Sequence, residues 1–127
     1  MRLEELTYET CQRCQPPLRE GQRVKVVRVV DGDTLIGGFI NTEGVATRVS
    51  CRLRGIDSPE LRSTVPEERE LARQARERLR ELVEGQCVTV TELQLDKYGR
   101  TLVKARFNRV DLSDYMLEDD KLCKKYE

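Results

Sequence analysis

The sequence has no histidine and no tryptophan, and it has only two phenylalanines in 127 residues. The absence of histidine excludes Ser–His and Cys–His nucleophiles, histidine general bases and histidine metal ligands. Any catalysis by this chain must therefore depend on carboxylates, arginines and a hard metal ion. The scarcity of aromatic side chains disfavours a protein that binds single-stranded nucleic acid by stacking on its bases.

Long apolar runs and an excess of either charge are absent as well. No window approaches the 18 apolar residues that indicate a transmembrane helix, and the opening MRLEELTYET lacks the apolar core of a signal peptide. Lys and Arg number 23, as do Asp and Glu, so the chain is neutral although 36% of it is charged. A polyanionic partner would have to be attracted by local groups rather than by bulk charge.

The five cysteines are odd in number, which favours a reduced intracellular protein over a disulfide-stapled one. Cys11 and Cys14 have half of the spacing of a zinc knuckle, but neither a second pair nor a histidine completes it. We interpret them as reduced thiols on a mobile arm. Cys51 and Cys87 lie among apolar neighbours and are predicted to be buried small hydrophobic side chains.

A chain of this length fits one domain with one core. Residues 1–22 are polar and contain Pro16, Pro17 and Gly21, so they are predicted to form an arm that leads into a domain over residues 23–127. Stretches that are rich in β-branched residues and bounded by turn residues predict five strands in this domain. The predicted strands cover residues 23–30, 34–40, 47–56, 86–93 and 100–107.

One amphipathic helix is predicted between the third and fourth strands. Pro66 suits an early helical position, acidic residues follow it in the first turn, and Gly85 suits the position just past the helix end. Apolar residues recur at helical spacing from Leu71 to Val83. A second helix is predicted over residues 112–123.

This order of elements predicts a mainly β, α+β fold with a helix after strand three and a C-terminal helix. Five short strands close naturally into a Greek-key barrel of the OB-fold type, and an open α+β sheet is the alternative. We favour the barrel because the third strand is long enough to bend and to serve both halves. If Leu53 and Ile56 both point into the core, a bulge must interrupt that strand.

Three short segments carry the residues with chemical potential. They read DGDT at 31–34, RLRGIDSPE at 52–60 and DKYGR at 96–100. DGDT alone is ordinary turn chemistry. Asp57 and Glu60, three residues apart after a strand, resemble a capping turn but also suit a hard cation, which takes carboxylate and carbonyl oxygens from such loops. Arg52 has the alternative interpretation of a charge on a solvated strand face.

In this order, and with a helix between the last two, the three segments resemble the staphylococcal nuclease (thermonuclease) family from about residue 24 to residue 123. The resemblance implies the five-stranded OB barrel and the calcium-dependent hydrolysis of DNA and RNA, with 3′-phosphates as products. It implies that Asp33, Asp57 and the backbone carbonyl of Ser58 bind the calcium ion. Glu60 is implied to act as the general base or to orient the attacking water.

The same resemblance implies that Arg52 and Arg100 bind the scissile phosphate. Two guanidiniums suit this task, because they stay charged and can each give two parallel hydrogen bonds to phosphate oxygens as negative charge develops. Lys97 and Tyr98 are implied to contact the other phosphate of the nucleotide. Tyr126 is the best match for an aromatic side chain that stacks on the base.

A non-catalytic binding module with the same barrel is the alternative function. The sequence contains a complete set of candidate catalytic and metal-binding residues that includes Glu60, and a binding module has no need of Glu60. The presence of this complete set therefore favours the nuclease. We expect a monomer whose partner is DNA or RNA and which does not contact membranes. The complete set consists of Asp33, Arg52, Asp57, Glu60 and Arg100.

Overall fold

The computed structural model describes residues 2–13 and 18–126, and Cys14 lies outside these ranges. Long strands alternate with short ones and with two α-helices along the described chain. The elements are a 3-10 helix at Leu3–Glu5, β1 Gln12–Arg13, β2 Gln22–Asp31, β3 Thr34–Ile40, β4 Ala46–Leu53, β5 Ile56–Asp57, α1 Pro66–Val83, β6 Cys87–Leu95, β7 Thr101–Phe107, β8 Val110–Asp111, α2 Leu112–Leu117 and β9 Lys124–Lys125.

Five long strands form a closed barrel. Antiparallel pairings join β4 to β3, β3 to β2, β2 to β6 and β6 to β7, and a parallel pairing of β4 with β7 closes the ring. Closure pairs Cys51 with Thr101, Arg52 with Leu102 and Leu53 with Val103. The predicted OB-type barrel is confirmed, and the open sheet is excluded.

The barrel interior is filled mainly by valines from β2, β6 and β7, together with larger side chains such as Leu35 and Phe39 from β3. Helix α1 covers one side with a face of small and branched residues, which lets the helix backbone approach the barrel closely. The residues of α1 that are buried are Ala72, Ala75, Leu79 and Val83.

The third predicted strand is divided in the structure. Strand β4 ends at Leu53, and the residues that follow make a turn in which Gly55 has φ +81°. Leu53 and Ile56 are both fully buried. Strict alternation is therefore interrupted as predicted, but by a turn between two strands rather than by a bulge within one.

The predicted second helix is too long. Helix α2 begins after Asp111, whose side chain accepts a hydrogen bond from Asp114 N, and it ends at Leu117. Residues 118–120 are Glu-Asp-Asp, and carboxylates at a helix C-terminus are opposed by the helix dipole. Asp119 also accepts a hydrogen bond from Lys121 N, which favours a turn at this point.

The N-terminal residues that the structure describes pack against the outer surface of the barrel. Leu6 is fully buried and Cys11 nearly so, and a Cβ placed on Gly38 would lie 3.0 Å from Cys11 Sγ and 3.3 Å from Leu6 Cδ1. Glycine at position 38 thus leaves room for this segment, and the interpretation of Cys11 as a thiol on a mobile arm is wrong. Cys51 is fully buried as predicted, whereas Cys87 is only half-buried.

No helix within the described ranges is both long enough and apolar enough to cross a membrane.

Candidate active site

An open cleft of about 430 Å³ lies where the ends of β2 and β3 meet β4, the loop after β5 and the β6–β7 turn. Every residue to which the sequence analysis gave a catalytic, metal-binding or substrate-binding role lines this cleft. The polar lining residues are Asp31, Asp33, Arg52, Asp57, Ser58, Glu60, Asp96, Lys97, Tyr98, Arg100 and Tyr126.

Arg52 is the point at which two carboxylates of the cleft converge. Its Nη2 lies 3.4 Å from Asp33 Oδ2 and also 3.4 Å from Asp57 Oδ1. The side chain of Arg52 is 12% exposed and that of Asp33 is 8% exposed, whereas Asp57 is 59% exposed. One nearly buried guanidinium thus separates a buried carboxylate from one that faces solvent.

Local structure fixes Asp33 and connects it to the loop after β5. Asp33 accepts hydrogen bonds from Thr34 Oγ1 at 2.9 Å and from Ser58 N at 3.1 Å. Burial on its own would raise the pKa of Asp33. Hydrogen bonds from Asp31, Ser58 and Thr34 and the positive charge of Arg52 outweigh burial and hold this pKa below its ordinary value.

Asp31 is a neighbour that the sequence analysis did not select. Its carboxyl group is raised to a pKa of about 7, chiefly by burial and then by the hydrogen bond and the negative charge of Asp33. Its Oδ1 also accepts a hydrogen bond from Asp33 N at 3.1 Å. The DGDT pattern hid this pairing, because Asp31 looks like an ordinary turn residue.

The β6–β7 turn presents Arg100 to the cleft. Asp96 Oδ2 accepts a hydrogen bond from Arg100 Nε at 2.9 Å, while Asp96 Oδ1 accepts from the backbone N–H groups of Tyr98 and Arg100. Burial would raise the pKa of Asp96, but these three donors hold it below its ordinary value. Asp96 is a positioning residue that the sequence analysis missed, although an Asp followed three residues later by Gly99 is a recognisable turn signal.

The remaining predicted residues lie at the rim of the cleft. Glu60 is exposed, and its carboxylate hydrogen-bonds no group in the described ranges. Tyr98 is 71% exposed, with the Lys97 ammonium 5.2 Å from its ring centre. The pairing of β9 with β5 brings Tyr126, 57% exposed, to a position 5.1 Å from the Arg52 guanidinium carbon.

The donor set of the cleft fits a calcium ion. Asp33, Asp57 and the neighbouring Ser58 carbonyl are hard oxygen donors, and calcium accepts carboxylates, carbonyls and water in flexible geometry. Within residues 2–13 and 18–126, no group of three or more Asp, Glu, His or Cys side chains is arranged to hold a metal. The protein would therefore supply only part of the coordination, and water would have to complete the roughly six to eight oxygen ligands that calcium takes.

The thiol of Cys123 lies next to this site but takes no part in its chemistry. Its Sγ lies 3.9 Å from the Gly32 carbonyl oxygen, and the side chain is buried. Burial, together with the negative charge of nearby Asp33, raises the pKa of Cys123 to about 12. The thiol stays protonated and is therefore a poor nucleophile.

The fold and the site together define an OB-type barrel with an acidic, arginine-containing cleft. The chain belongs to the staphylococcal nuclease homologue family, whose sequence model matches residues 50–120. The matched segment contains Arg52, Asp57, Glu60 and Arg100, while Asp33 precedes it.

Three relatives show the range of similarity. A micrococcal nuclease from Shigella flexneri is 40% identical over 63% of this chain and 40% of its own length. An uncharacterized endonuclease from Escherichia coli O157:H7 is 38% identical over 61% of this chain and 44% of its own. An uncharacterized 38.1 kDa protein from Capnoides sempervirens is 36% identical over 71% of this chain and 25% of its own. The chain thus spans between a quarter and less than half of these relatives.

Proposed function

We propose that this chain is a calcium-dependent nuclease that hydrolyses phosphodiester bonds of DNA, RNA or both and leaves 3′-phosphates. The observation that carries the proposal is the convergence of Asp33 and Asp57 on Arg52 in a cleft that also contains Arg100 and Glu60. Family membership and the names of two relatives, a micrococcal nuclease and an endonuclease, support the same activity.

The charge of the cleft supports a requirement for a cation. Five carboxyl-bearing residues line the cleft, but only three cationic side chains do, so an anionic phosphodiester would meet net repulsion. Calcium bound by Asp33, Asp57 and the Ser58 carbonyl would supply the missing positive charge and polarise the phosphate. The cationic residues are Arg52, Lys97 and Arg100.

The residues of the cleft would then have separate roles in hydrolysis. Arg52 and Arg100 hold the scissile phosphate and stabilise the charge that develops on it in the transition state. Glu60 takes a proton from the attacking water while the oxygen of that water forms a bond to phosphorus. The bond from phosphorus to the 5′ oxygen breaks, the departing oxygen gains a proton from solvent, and the phosphate remains on the 3′ oxygen of the other fragment.

Tyr126 presents an exposed ring near Arg52 and would stack on a base of the substrate. Aromatic rings stack on bases without regard to sequence, so the site should accept many nucleotides. Lys97 and Tyr98 also line the cleft and would contact a second phosphate of the substrate.

A digestion assay tests this function. Plasmid DNA and a long RNA are incubated with the chain in calcium, magnesium, zinc or chelator. We expect cleavage in calcium, weaker cleavage in magnesium because it demands near-octahedral geometry, and none in chelator. The DNA fragments should fail to prime a polymerase until a phosphatase removes the 3′-phosphate.

Two results would contradict the proposal. Cleavage that persists in chelator, or is as fast with zinc as with calcium, would exclude the calcium site. Binding of nucleic acid without any cleavage in calcium would favour the non-catalytic module.

A further inference from the structure

A second cluster of arginines lies outside the cleft, where the N-terminal segment crosses the barrel. The guanidinium carbons of Arg28 and Arg48 lie 3.8 Å and 4.1 Å from the ring centre of Tyr8. Arg48 Nη1 also donates a hydrogen bond to the Tyr8 carbonyl oxygen at 3.0 Å. Tyr8 therefore brings two positive charges to one place on the surface.

The positive charges of this cluster have no ionic partners among the described residues. In the described ranges no carboxylate forms an ion pair with Arg28 or Arg48, although many other arginines of the chain have such partners. Two guanidiniums on one ring repel each other, and an anion beside them removes that repulsion. Arginine stacked on an aromatic face keeps N–H donors at its edge, which suit phosphate oxygens.

The cluster and the cleft share the outer face of β4. Arg48, Ser50 and Arg52 alternate with the buried residues Cys51 and Leu53, so all three point outward. Four residues of a β-strand span about 13 Å. A nucleic-acid strand whose phosphate lies on Arg52 would therefore need only a few nucleotides to reach Arg48.

The strand register connects Arg28 to the same path. Arg28 pairs with Ile36 on β3, and Ile36 pairs with Ser50 on β4. The path from cleft to cluster thus follows three adjacent strands without crossing the barrel.

We propose that Arg28 and Arg48, held together by Tyr8, form a remote phosphate-binding site for the nucleic-acid strand that enters the cleft. This inference rests on the proposed nuclease function and extends it. It makes the preferred substrate a polymer long enough to span both sites, rather than a dinucleotide.

The test separates binding from cleavage. Affinity for a fluorescent 16-nucleotide single-stranded DNA is measured in chelator over a range of salt concentrations, and cleavage of a dinucleotide is measured in calcium. The double variant Arg28→Gln/Arg48→Gln should bind the 16-mer more weakly, with a salt slope lower by about 1.4, because each lost contact to a single strand accounts for about 0.7. Its kcat/KM for the dinucleotide should be unchanged.

Two matched variants identify the cause. Arg106→Gln/Arg109→Gln removes the same charge from exposed positions around the β7–β8 turn, at the end of β7 away from the cleft, and should change the slope far less. Arg28→Lys/Arg48→Lys keeps the charge and should keep most of the slope. Thermal unfolding of each variant shows whether the N-terminal segment still supports the fold.

The proposal is overturned if the Arg28→Gln/Arg48→Gln slope equals that of wild type or of the Arg106→Gln/Arg109→Gln control. It is also overturned if the lysine variant loses as much slope as the glutamine variant, since packing rather than charge would then explain the loss. If the Arg28→Gln/Arg48→Gln variant loses the expected slope but the wild type cleaves nothing in calcium, the remote site is supported and the nuclease function fails.

Discussion

At the scale of single residues, Arg52 has an unusual environment. It lies 3.4 Å from two carboxylates, whereas strong charge-assisted hydrogen bonds are about 2.7–2.9 Å long. The guanidinium is therefore close to both Asp33 and Asp57 without being tightly bound to either. The N–H groups of this guanidinium therefore remain available to donate hydrogen bonds to a phosphate.

Arg52→Lys should lower kcat/KM by about 100- to 1,000-fold, the usual cost of removing one donor that stabilises transition-state charge. Lysine keeps the charge but cannot form the two-pronged contact. Arg54→Lys is the control, because Arg54 bonds to Glu92 and Gln94 away from the cleft. An Arg52→Lys rate within threefold of wild type would contradict a role for Arg52 in stabilising the transition state.

Glu60→Gln should lower turnover by about 100- to 10,000-fold, because glutamine keeps the size of the side chain but cannot accept a proton. Calcium and nucleotide affinities, measured by calorimetry, should stay near wild type, since Asp33 and Asp57 are untouched. Glu67→Gln on an exposed turn of α1 is the matched control. Full activity in Glu60→Gln would rule out its role as the base.

Sequence reasoning selected most of the cleft but not the residues that position it. Asp33, Arg52 and Asp57 were selected through the resemblance of their motifs to a nuclease family, and the structure brings them together, while their roles stay predictions. Asp31 and Asp96 were missed because each works through a neighbour: one shares a buried site with Asp33, and the other fixes Arg100. Sequence spacing does not reveal such contacts.

At the scale of elements, Gly32 is where a strand end, a helix and the loop after β5 meet. It is buried, and a Cβ placed on it would lie 2.7 Å from Ala75 Cβ of α1 and 2.9 Å from Ser58 Cβ. Either distance is too short for real atoms, so even one methyl group must displace the helix or the loop.

Gly32→Ala should destabilise the protein by about 1–3 kcal/mol, as overpacking typically does, and should reduce activity beyond that loss because Ser58 and Asp57 move. Urea unfolding and kcat/KM, measured where the variant is still folded, separate the two effects. Gly44→Ala is the control: its φ of +81° makes alanine strained, but it lies in open space in the β3–β4 turn, at the end of β3 away from the cleft. Equal specific activity in both variants would show that the close packing at Gly32 does not position the loop.

Element prediction succeeded where local signals were strong. Helix α1 runs from Pro66 to Val83 as expected, since proline marks its start and Gly85, with φ +84°, follows its end. The two-residue strands β1, β8 and β9 were not predicted, and β5 was predicted only as the end of the third strand. Two residues have no periodicity, and only their partners elsewhere in the chain make them strands.

At the scale of the whole molecule, zero net charge conceals an uneven distribution. Carboxylates crowd the cleft, while Arg28 and Arg48 remain without ionic partners on the outer face among the described residues. A neutral total therefore does not argue against a nucleic-acid substrate.

Calcium should raise the melting temperature, because a ligand that binds only the folded state adds about 2.7 kcal/mol at a concentration 100 times its Kd. Scanning calorimetry with increasing calcium measures the shift. Asp33→Asn should need more calcium for the same shift, whereas Asp114→Asn on α2 should behave as wild type. An unchanged melting temperature at millimolar calcium would count against the site.

We expect the parallel pairing of β4 with β7 to set the stage of folding at which the cleft becomes complete. That pairing joins Cys51 to Thr101 across α1 and β6, whereas the β2–β3–β4 and β6–β7 pairings are local, and distant pairings form late. Arg52 lies in this seam. We expect nuclease activity in a stopped-flow refolding experiment to return after the helical circular dichroism signal, and simultaneous recovery would contradict this order. A chain still emerging from synthesis, before β7 is available, would then carry an incomplete cleft.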